Sequence, residues 1–220
     1  MKRSTQPITI EAIKRHHKAR RKEIRQRLDE FREIGRSGTD QHLWEEMVFC
    51  FFTGGCSARM GLNSLERVRT MLMTADQATL ANALVGAHRY PNARARYIVV
   101  SREFLKAHCD MNLRKKLGGF DCGQARRDWL VREKGIKGLG YKEASHYLRN
   151  VGFRGYAILD KHVLNCLAEL GIIADPKPPN TRVGYLSVED KLKKLTSDIG
   201  IDFDELDLVL WSMKTGVILK

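Results

Sequence analysis

Almost every segment of this 220-residue chain carries apolar residues at the spacing of an α-helix, and this periodicity limits the fold more than any other feature. One apolar stripe near the N-terminus consists of Ile24, Leu28, Phe31 and Ile34. This spacing places all four side chains on one side of a helix. The clearest candidate strand, YIVV at 97–100, lies between segments that favour helix. The sequence therefore predicts an all-α protein.

Breaks that contain glycine and proline separate the predicted helices and indicate where the chain turns. They lie at 35–40, 53–55, 88–92, 117–124 and 175–180. We expect two helical subdomains. The first contains both termini, 1–45 with 170–220, and the second, 46–169, carries a helix–hairpin–helix at about 123–151.

The charge balance indicates a polyanionic partner. The chain has 39 Lys and Arg against 26 Asp and Glu, which gives a net charge of +13. Nucleic acid is the commonest partner of so basic a protein. The basic side of the first predicted helix fits either an ordinary solvated surface, which we favour, or direct contact with DNA.

Membrane, secreted and metal-centred proteins do not fit this sequence. There is no run of about 18 apolar residues that could span a membrane, and the basic N-terminus lacks the apolar core of a signal peptide. The five cysteines are scattered and form no Cys-x-x-Cys pair. We therefore expect reduced thiols in a cytosolic protein, with neither zinc nor an iron–sulfur cluster.

A short glycine-rich turn, GIKGLG at 135–140, lies between two predicted helices. Gly138 and Gly140 would let the chain turn sharply and expose backbone amides, while Leu139 would point inward as an anchor. Such amides, together with the positive N-terminal end of the next helix, bind phosphate. The turn therefore predicts a contact with the DNA backbone, although a plain helix–turn–helix corner with glycine caps gives the same pattern.

Lys142 and Asp160 are the candidate chemical groups. Lys142 falls in the first turn of the helix after the hairpin, where the helix dipole disfavours a cation and so favours the neutral amine. A neutral amine can attack a sugar carbon or form a Schiff base. Asp160, in LDKHVL, first suggests the N-cap of a helix, yet a capping carboxylate can also face an active site.

The stretch GIKGLGYKEASHYLRNVGF…AILDKHVL resembles the helix–hairpin–helix family of base-excision DNA glycosylases. In that family a lysine after the hairpin and an aspartate before a later helix form the catalytic pair. Similarity to the archaeal-type 8-oxoguanine DNA glycosylase/AP lyases extends to FCFFTGGCSARMG (49–61), NARARYIV (92–99) and WSMKTGVILK (211–220). No group of four cysteines follows Cys166, unlike in endonuclease III, and 220 residues leave no room for the β-rich first domain of the larger eukaryotic enzymes.

The resemblance implies roles for further residues. It assigns Gly138, Gly140 and His162 to the DNA backbone, Arg59 and Arg94 to the gap beside the estranged base, and Trp211 and Lys220 to the base pocket, where the terminal carboxylate of Lys220 takes part. It also assigns a monovalent cation, Na⁺ or K⁺, to the carbonyl groups of Lys134, Ile136 and Leu139. From the residues alone, each side chain also fits an ordinary structural role as a helix histidine, a surface arginine or a core tryptophan.

The function implied is a bifunctional glycosylase/AP lyase that flips 8-oxoguanine out of double-stranded DNA into a cleft between the subdomains. Lys142 would attack C1′ and cut the strand 3′ to the lesion by β-elimination, while Asp160 stabilises the charge on the sugar. No redox cofactor is required, and we expect a monomer. Two alternatives stay open: a glycosylase for another damaged base, and a non-catalytic hairpin module that binds DNA and needs neither residue.

Overall fold

Helices form the regular structure of residues 8–219, the part of the chain that this computed structural model describes. The α-helices in this part are α1 (Ile10–Ser37), α2 (Asp40–Thr53), α3 (Ala58–Val68), α4 (Gln77–Leu84), α5 (Pro91–Cys109), α6 (Leu113–Gly118), α7 (Gly123–Arg132), α8 (Tyr141–Asn150), α9 (Lys161–Glu169), α10 (Arg182–Ile199) and α11 (Phe203–Thr215). The all-α prediction is confirmed, and the segment 97–100 lies inside α5. Across 8–219, no helix is both long enough and apolar enough to cross a membrane.

The chain divides into two compact units. One combines Met1–Phe31 with Arg154–Lys220, and the other is Arg32–Phe153. We call them the terminal unit and the central unit, and α1 contributes residues to both. The subdomain limits expected from the sequence, 1–45 with 170–220 and 46–169, stay a prediction.

α2 forms the core of the central unit because it is apolar on nearly every side. The aromatic side chains of Trp44, Phe49, Phe51 and Phe52 are completely buried. α3, α5, α6 and α8 all pack against this helix. Gly61 lets α3 approach closely, since a Cβ there would lie 3.1 Å from the Phe49 ring. α8, which follows the hairpin, is therefore supported by a densely packed core.

The hairpin at 135–140 packs on one side of α5. Gly138 has a positive φ of 77°, and a Cβ at this position would collide with the ring of Tyr97. A Cβ on Gly135 would collide with the ring of Phe104 in the same way. Only glycine combines this backbone conformation with so close an approach. Two aromatic rings of α5 therefore set the position of the hairpin.

Ser101 and two apolar side chains complete this attachment. The amide of Lys137 donates a hydrogen bond to Ser101 Oγ over 2.9 Å. Ile136 and Leu139 are both buried in the central unit. The inward position predicted for Leu139 is confirmed.

In the terminal unit, one buried carboxylate connects α11 to α1. Glu205 accepts from His17 Nε2 over 2.5 Å and from Arg25 Nε over 2.6 Å. Burial raises the pKa of Glu205, but the hydrogen bonds from Arg25 and His17 outweigh it, and the net pKa lies below the usual 4.5. The ionised carboxylate is therefore the form that this part of the fold stabilises.

Glu205→Gln should lower the free energy of unfolding by about 1–3 kcal/mol at pH 7, because it removes a buried ionic contact to both partners. A lowered pKa in the folded state contributes stability above the usual value of 4.5, and that stability is lost as the pH falls through the lowered value. The difference between variant and parent should therefore shrink on acidification, measured by urea unfolding at several pH values. Glu66→Gln, at an exposed surface pair with Arg69, is the control and should show little change. An equal loss at pH 3 and pH 7 would contradict the ionic account.

Gly138→Ala should destabilise the protein more than Gly86→Ala. Both glycines have a positive φ, 77° and 72°, so both variants carry the cost of about 1 kcal/mol for a side chain in this conformation. The Cβ at Gly86 would meet nothing within 4 Å, whereas the Cβ at Gly138 would collide with Tyr97. We expect an additional loss of about 1–3 kcal/mol for Gly138→Ala in urea unfolding. Equal losses would show that the contact with Tyr97 does not constrain the hairpin.

Candidate active site

Lys142 is the second residue of α8, at the place where the chain leaves the hairpin. Its Nζ lies 3.0 Å from Glu143 Oε1, and the two side chains are 24% and 17% exposed. Glu143 is not among the residues predicted from the sequence, because adjacent residues of a helix ordinarily point in different directions. A salt bridge with a carboxylate favours the ammonium form of a lysine, whereas attack on a carbon requires the neutral amine.

Glu143 also lies close to two glycines of the central unit. A Cβ on Gly140 would be 3.2 Å from Glu143 Oε2, and a Cβ on Gly54 would be 3.7 Å from Oε1. The carboxylate is therefore close to both the end of the hairpin and the end of α2. A Cβ on Gly140 would require a small shift of Glu143, whereas a Cβ on Gly54 would first meet Arg94 Nη2, 3.3 Å away.

Gly140 is the N-cap of α8, and no side chain caps this helix. Its φ of −86° and ψ of −176° are ordinary extended values that any residue adopts. Of the two glycines singled out in the sequence, Gly138 is therefore the one whose backbone conformation requires glycine. At Gly140, the lack of a side chain leaves the first-turn amides of α8 open to an external acceptor, and an anion such as phosphate suits them.

The carbonyl groups of the hairpin are available to a cation. The turn and loop hydrogen bonds of residues 8–219 include none accepted by the carbonyls of Lys134, Ile136 or Leu139. Unpaired backbone carbonyls are ligands that alkali-metal cations accept. The residues present therefore fit a monovalent cation at this turn. Side chains offer no competing site, since no group of three or more His, Cys, Asp or Glu suited to a metal occurs in the described residues.

Arg59 and Arg94, predicted to share one role, have different surroundings. Arg59 is exposed in the first turn of α3. Arg94 is buried, and its guanidinium donates to the carbonyl of Gly54. The same group lies 5.7 Å from the ring centre of Tyr90 and 5.2 Å from that of Tyr97. Arg59 can reach a ligand directly, whereas Arg94 would first have to leave these contacts.

Asp160 is the N-cap of α9 in the terminal unit. Its Oδ1 accepts hydrogen bonds from the amides of His162 and Val163, over 2.8 Å and 2.9 Å. Its Oδ2 accepts no hydrogen bond from the residues that the structure describes. The structural interpretation of Asp160 as a cap is therefore correct, and it uses one oxygen of the carboxylate. The second oxygen is available for chemistry.

The other residues predicted in the terminal unit lie on α9 and α11. His162 is half-buried in the first turn of α9. Trp211 is half-buried on α11, and within residues 8–219 its indole makes no hydrogen bond or ring contact. Trp211 is thus not an ordinary core tryptophan of the kind seen at Trp44, which is completely buried. Lys220 lies outside the described residues.

The structure thus groups the predicted residues by unit. The central unit holds Lys142, the hairpin positions and both arginines, and the terminal unit holds Asp160, His162 and Trp211. The five cysteines are all free thiols, as the sequence predicted.

Comparison with known proteins supports one family. Residues 24–201 match the family model described as 8-oxoguanine DNA glycosylase. A protein of Korarchaeum cryptofilum named 8-oxoguanine DNA glycosylase/AP lyase is 40% identical over 190 residues, 86% of this chain and 88% of the relative. A protein of the same name from Thermotoga maritima is 37% identical over 90% of this chain and 91% of its own length.

Solved structures agree with this assignment. The Methanocaldococcus jannaschii 8-oxoguanine glycosylase/lyase, in complex with a 15mer DNA containing 8-oxoguanine, matches with a TM-score of 0.87 and 31% identity, over 96% of this chain and 99% of that one. The 8-oxoguanine DNA glycosylase of Thermotoga maritima matches with a TM-score of 0.86 and 33% identity, over 96% and 98% of the two chains. With a family model that covers most of its length and relatives above 30% identity over nearly all of theirs, this chain belongs to the 8-oxoguanine DNA glycosylase family.

Proposed function

We propose that this protein excises 8-oxoguanine from double-stranded DNA and then cleaves the strand 3′ to the abasic site through a lysine Schiff base. The proposal rests on the presence of both Lys142 and Asp160, each at the start of a helix, in a member of this family. Lys142 begins the helix that follows the hairpin, and Asp160 caps a second helix while keeping Oδ2 open. A DNA-binding module would need neither group.

The hairpin would hold the DNA backbone beside the lesion. The uncapped first turn of α8 supplies amide donors to a phosphate, and Gly140 leaves them accessible. A Na⁺ or K⁺ ion on the carbonyls of Lys134, Ile136 and Leu139 would add positive charge at the same place. We assign His162, in the first turn of α9, to a further phosphate contact. These contacts bind any sequence, because phosphates carry no base identity.

The base must leave the helical stack before its glycosidic bond can be reached. Arg59 and Arg94 are our candidates to fill the space that it leaves and to contact the estranged base. Trp211 has a half-buried indole without a ring partner in the described residues, which suits stacking on a purine. We assign Trp211 and Lys220 to the pocket for the oxidised base.

The chemistry would begin with loss of the Lys142 proton. Nζ then attacks C1′ of the deoxyribose as the base departs, and Asp160 stabilises the positive charge that develops on the sugar. Nζ then loses a second proton as the C1′–O4′ bond breaks, which opens the sugar ring and gives the Schiff base. β-Elimination removes a proton from C2′ and breaks the C3′–O bond, 3′ to the lesion. This sequence of steps requires no redox cofactor. We propose that the protein acts as a monomer on chromosomal DNA in the cytoplasm of a prokaryotic cell.

Lys142→Gln should abolish the covalent adduct that borohydride traps between enzyme and 8-oxoguanine duplex, a loss of at least about 1000-fold, while DNA binding persists. Denaturing gels measure the adduct, and gel shift measures binding. Lys161→Gln makes the same change at an exposed first-turn lysine of α9 and should keep full trapping. Normal trapping by Lys142→Gln would overturn the lysine assignment.

Asp160→Asn keeps a capping oxygen and should slow excision by about 100-fold or more without loss of folding.

Deletion of Lys220 should lower the ratio of excision rates for 8-oxoguanine over guanine by about 10-fold or more, because the pocket loses a group that contacts the oxidised base. Single-turnover rates on matched duplexes measure this ratio. Lys220→Ala removes the side chain alone and so separates its contribution from that of main-chain atoms at this position. Unchanged discrimination in the deletion variant would remove Lys220 from the pocket.

A further inference from the structure

The irregular segment 156–159, which leads into Asp160, is buried but belongs to no helix. Residues 156–159 are at most 7% exposed. Backbone amides and carbonyls that are buried outside a helix or sheet require other hydrogen-bonding partners. In this segment two side chains of α10 provide them.

Tyr185 and Glu189 lie one turn apart on α10 and bind this backbone directly. The Tyr185 hydroxyl donates to the carbonyl of Ala157 over 2.7 Å and accepts from the amide of Leu159 over 3.3 Å. Glu189 Oε2 accepts from the amide of Ala157 over 3.0 Å. Both side chains are only 2% exposed. A single hydroxyl thus holds the two peptide groups on either side of Ile158.

These contacts reach Asp160 through one further hydrogen bond. The amide of Asp160 donates to the carbonyl of Ile158 over 2.8 Å, which forms a tight turn within the bound segment. On its other side, Asp160 is held by its cap on α9. Tyr185 therefore holds the backbone before Asp160, and the first amides of α9 hold its carboxylate.

We propose that Tyr185 is a positioning residue for Asp160, and that its hydroxyl fixes where Oδ2 stands relative to the reacting sugar. This inference rests on the proposed role of Asp160 in base excision. Tyr185 is only 2% exposed and binds the backbone that precedes Asp160, so we expect its effect on the reaction to pass through Asp160. Displacement of a charged group by a fraction of an ångström weakens stabilisation of a transition state while leaving DNA binding unchanged.

The test is a double-mutant cycle of Tyr185→Phe and Asp160→Asn. Single-turnover excision of 8-oxoguanine is measured for the parent, both single variants and the double variant. Tyr185→Phe should slow excision by about 10-fold in the parent and by less than about 2-fold in the Asp160→Asn background. The dissociation constant for duplex DNA should change by less than about 2-fold. A general structural defect would instead slow both backgrounds equally.

Tyr147→Phe is the matched control. Tyr147 is also completely buried, but its hydroxyl has no hydrogen-bond partner in the described structure, so its removal should leave excision unchanged. If Tyr185→Phe does not fold, a backbone ester at Leu159 replaces it in the cycle. The ester removes the amide that donates to Tyr185, and it also weakens the Ile158 carbonyl as an acceptor for the amide of Asp160.

The outcomes separate this inference from the proposed function. A parent-like rate for Asp160→Asn alone would remove the proposed role of Asp160, and the inference with it. A large loss for Asp160→Asn, together with no effect of Tyr185→Phe or with equal effects in both backgrounds, would overturn the inference alone. A slowing of excision by Tyr185→Phe that occurs only when Asp160 is intact would support the inference.

Discussion

The unpaired amides at the start of a helix are the constraint on which the surroundings of Asp160 and of Lys142 each depend. The first turn of any helix presents donors that its own carbonyls cannot satisfy. At α9 the chain satisfies two of them with one oxygen of Asp160, and this contact places the other oxygen at the end of the helix. At α8 the cap is Gly140, which has no side chain, so the donors stay open. One end holds an oriented carboxylate, and the other has first-turn amides without a side-chain cap beside Lys142.

Much of this architecture could be predicted from the sequence because its signals are local. Apolar periodicity identified the long helices, and each glycine or proline break falls between helices or at their ends. The short helix α6 was not identified, since six residues hold less than two turns of periodicity. The turn before it is made by Asp110 and Met111, both with a positive φ that neither residue type signals strongly.

The remaining features depend on contacts between residues that are distant in sequence or on the direction of a side chain. Burial of Arg94 depends on the carbonyl of Gly54, 40 residues earlier. The ion pair of Lys142 with Glu143 joins neighbours on a helix whose side chains ordinarily point in different directions. Tyr185 shows no chemical signal in its sequence context, and its importance emerges only from the backbone that its hydroxyl binds.

Asp160 caps α9 in addition to its proposed part in base excision, so an aspartate at this position in a related sequence does not by itself indicate the activity. A descendant that had lost base excision would still require an acceptor at this position, because α9 would otherwise begin with two unpaired amides. An aspartate or asparagine could therefore persist there after the chemistry had disappeared. A lysine in the first turn of α8 gives the helix no such benefit, since the dipole disfavours its charge. In a lineage that has lost base excision, we therefore expect substitution at position 142 before substitution at position 160.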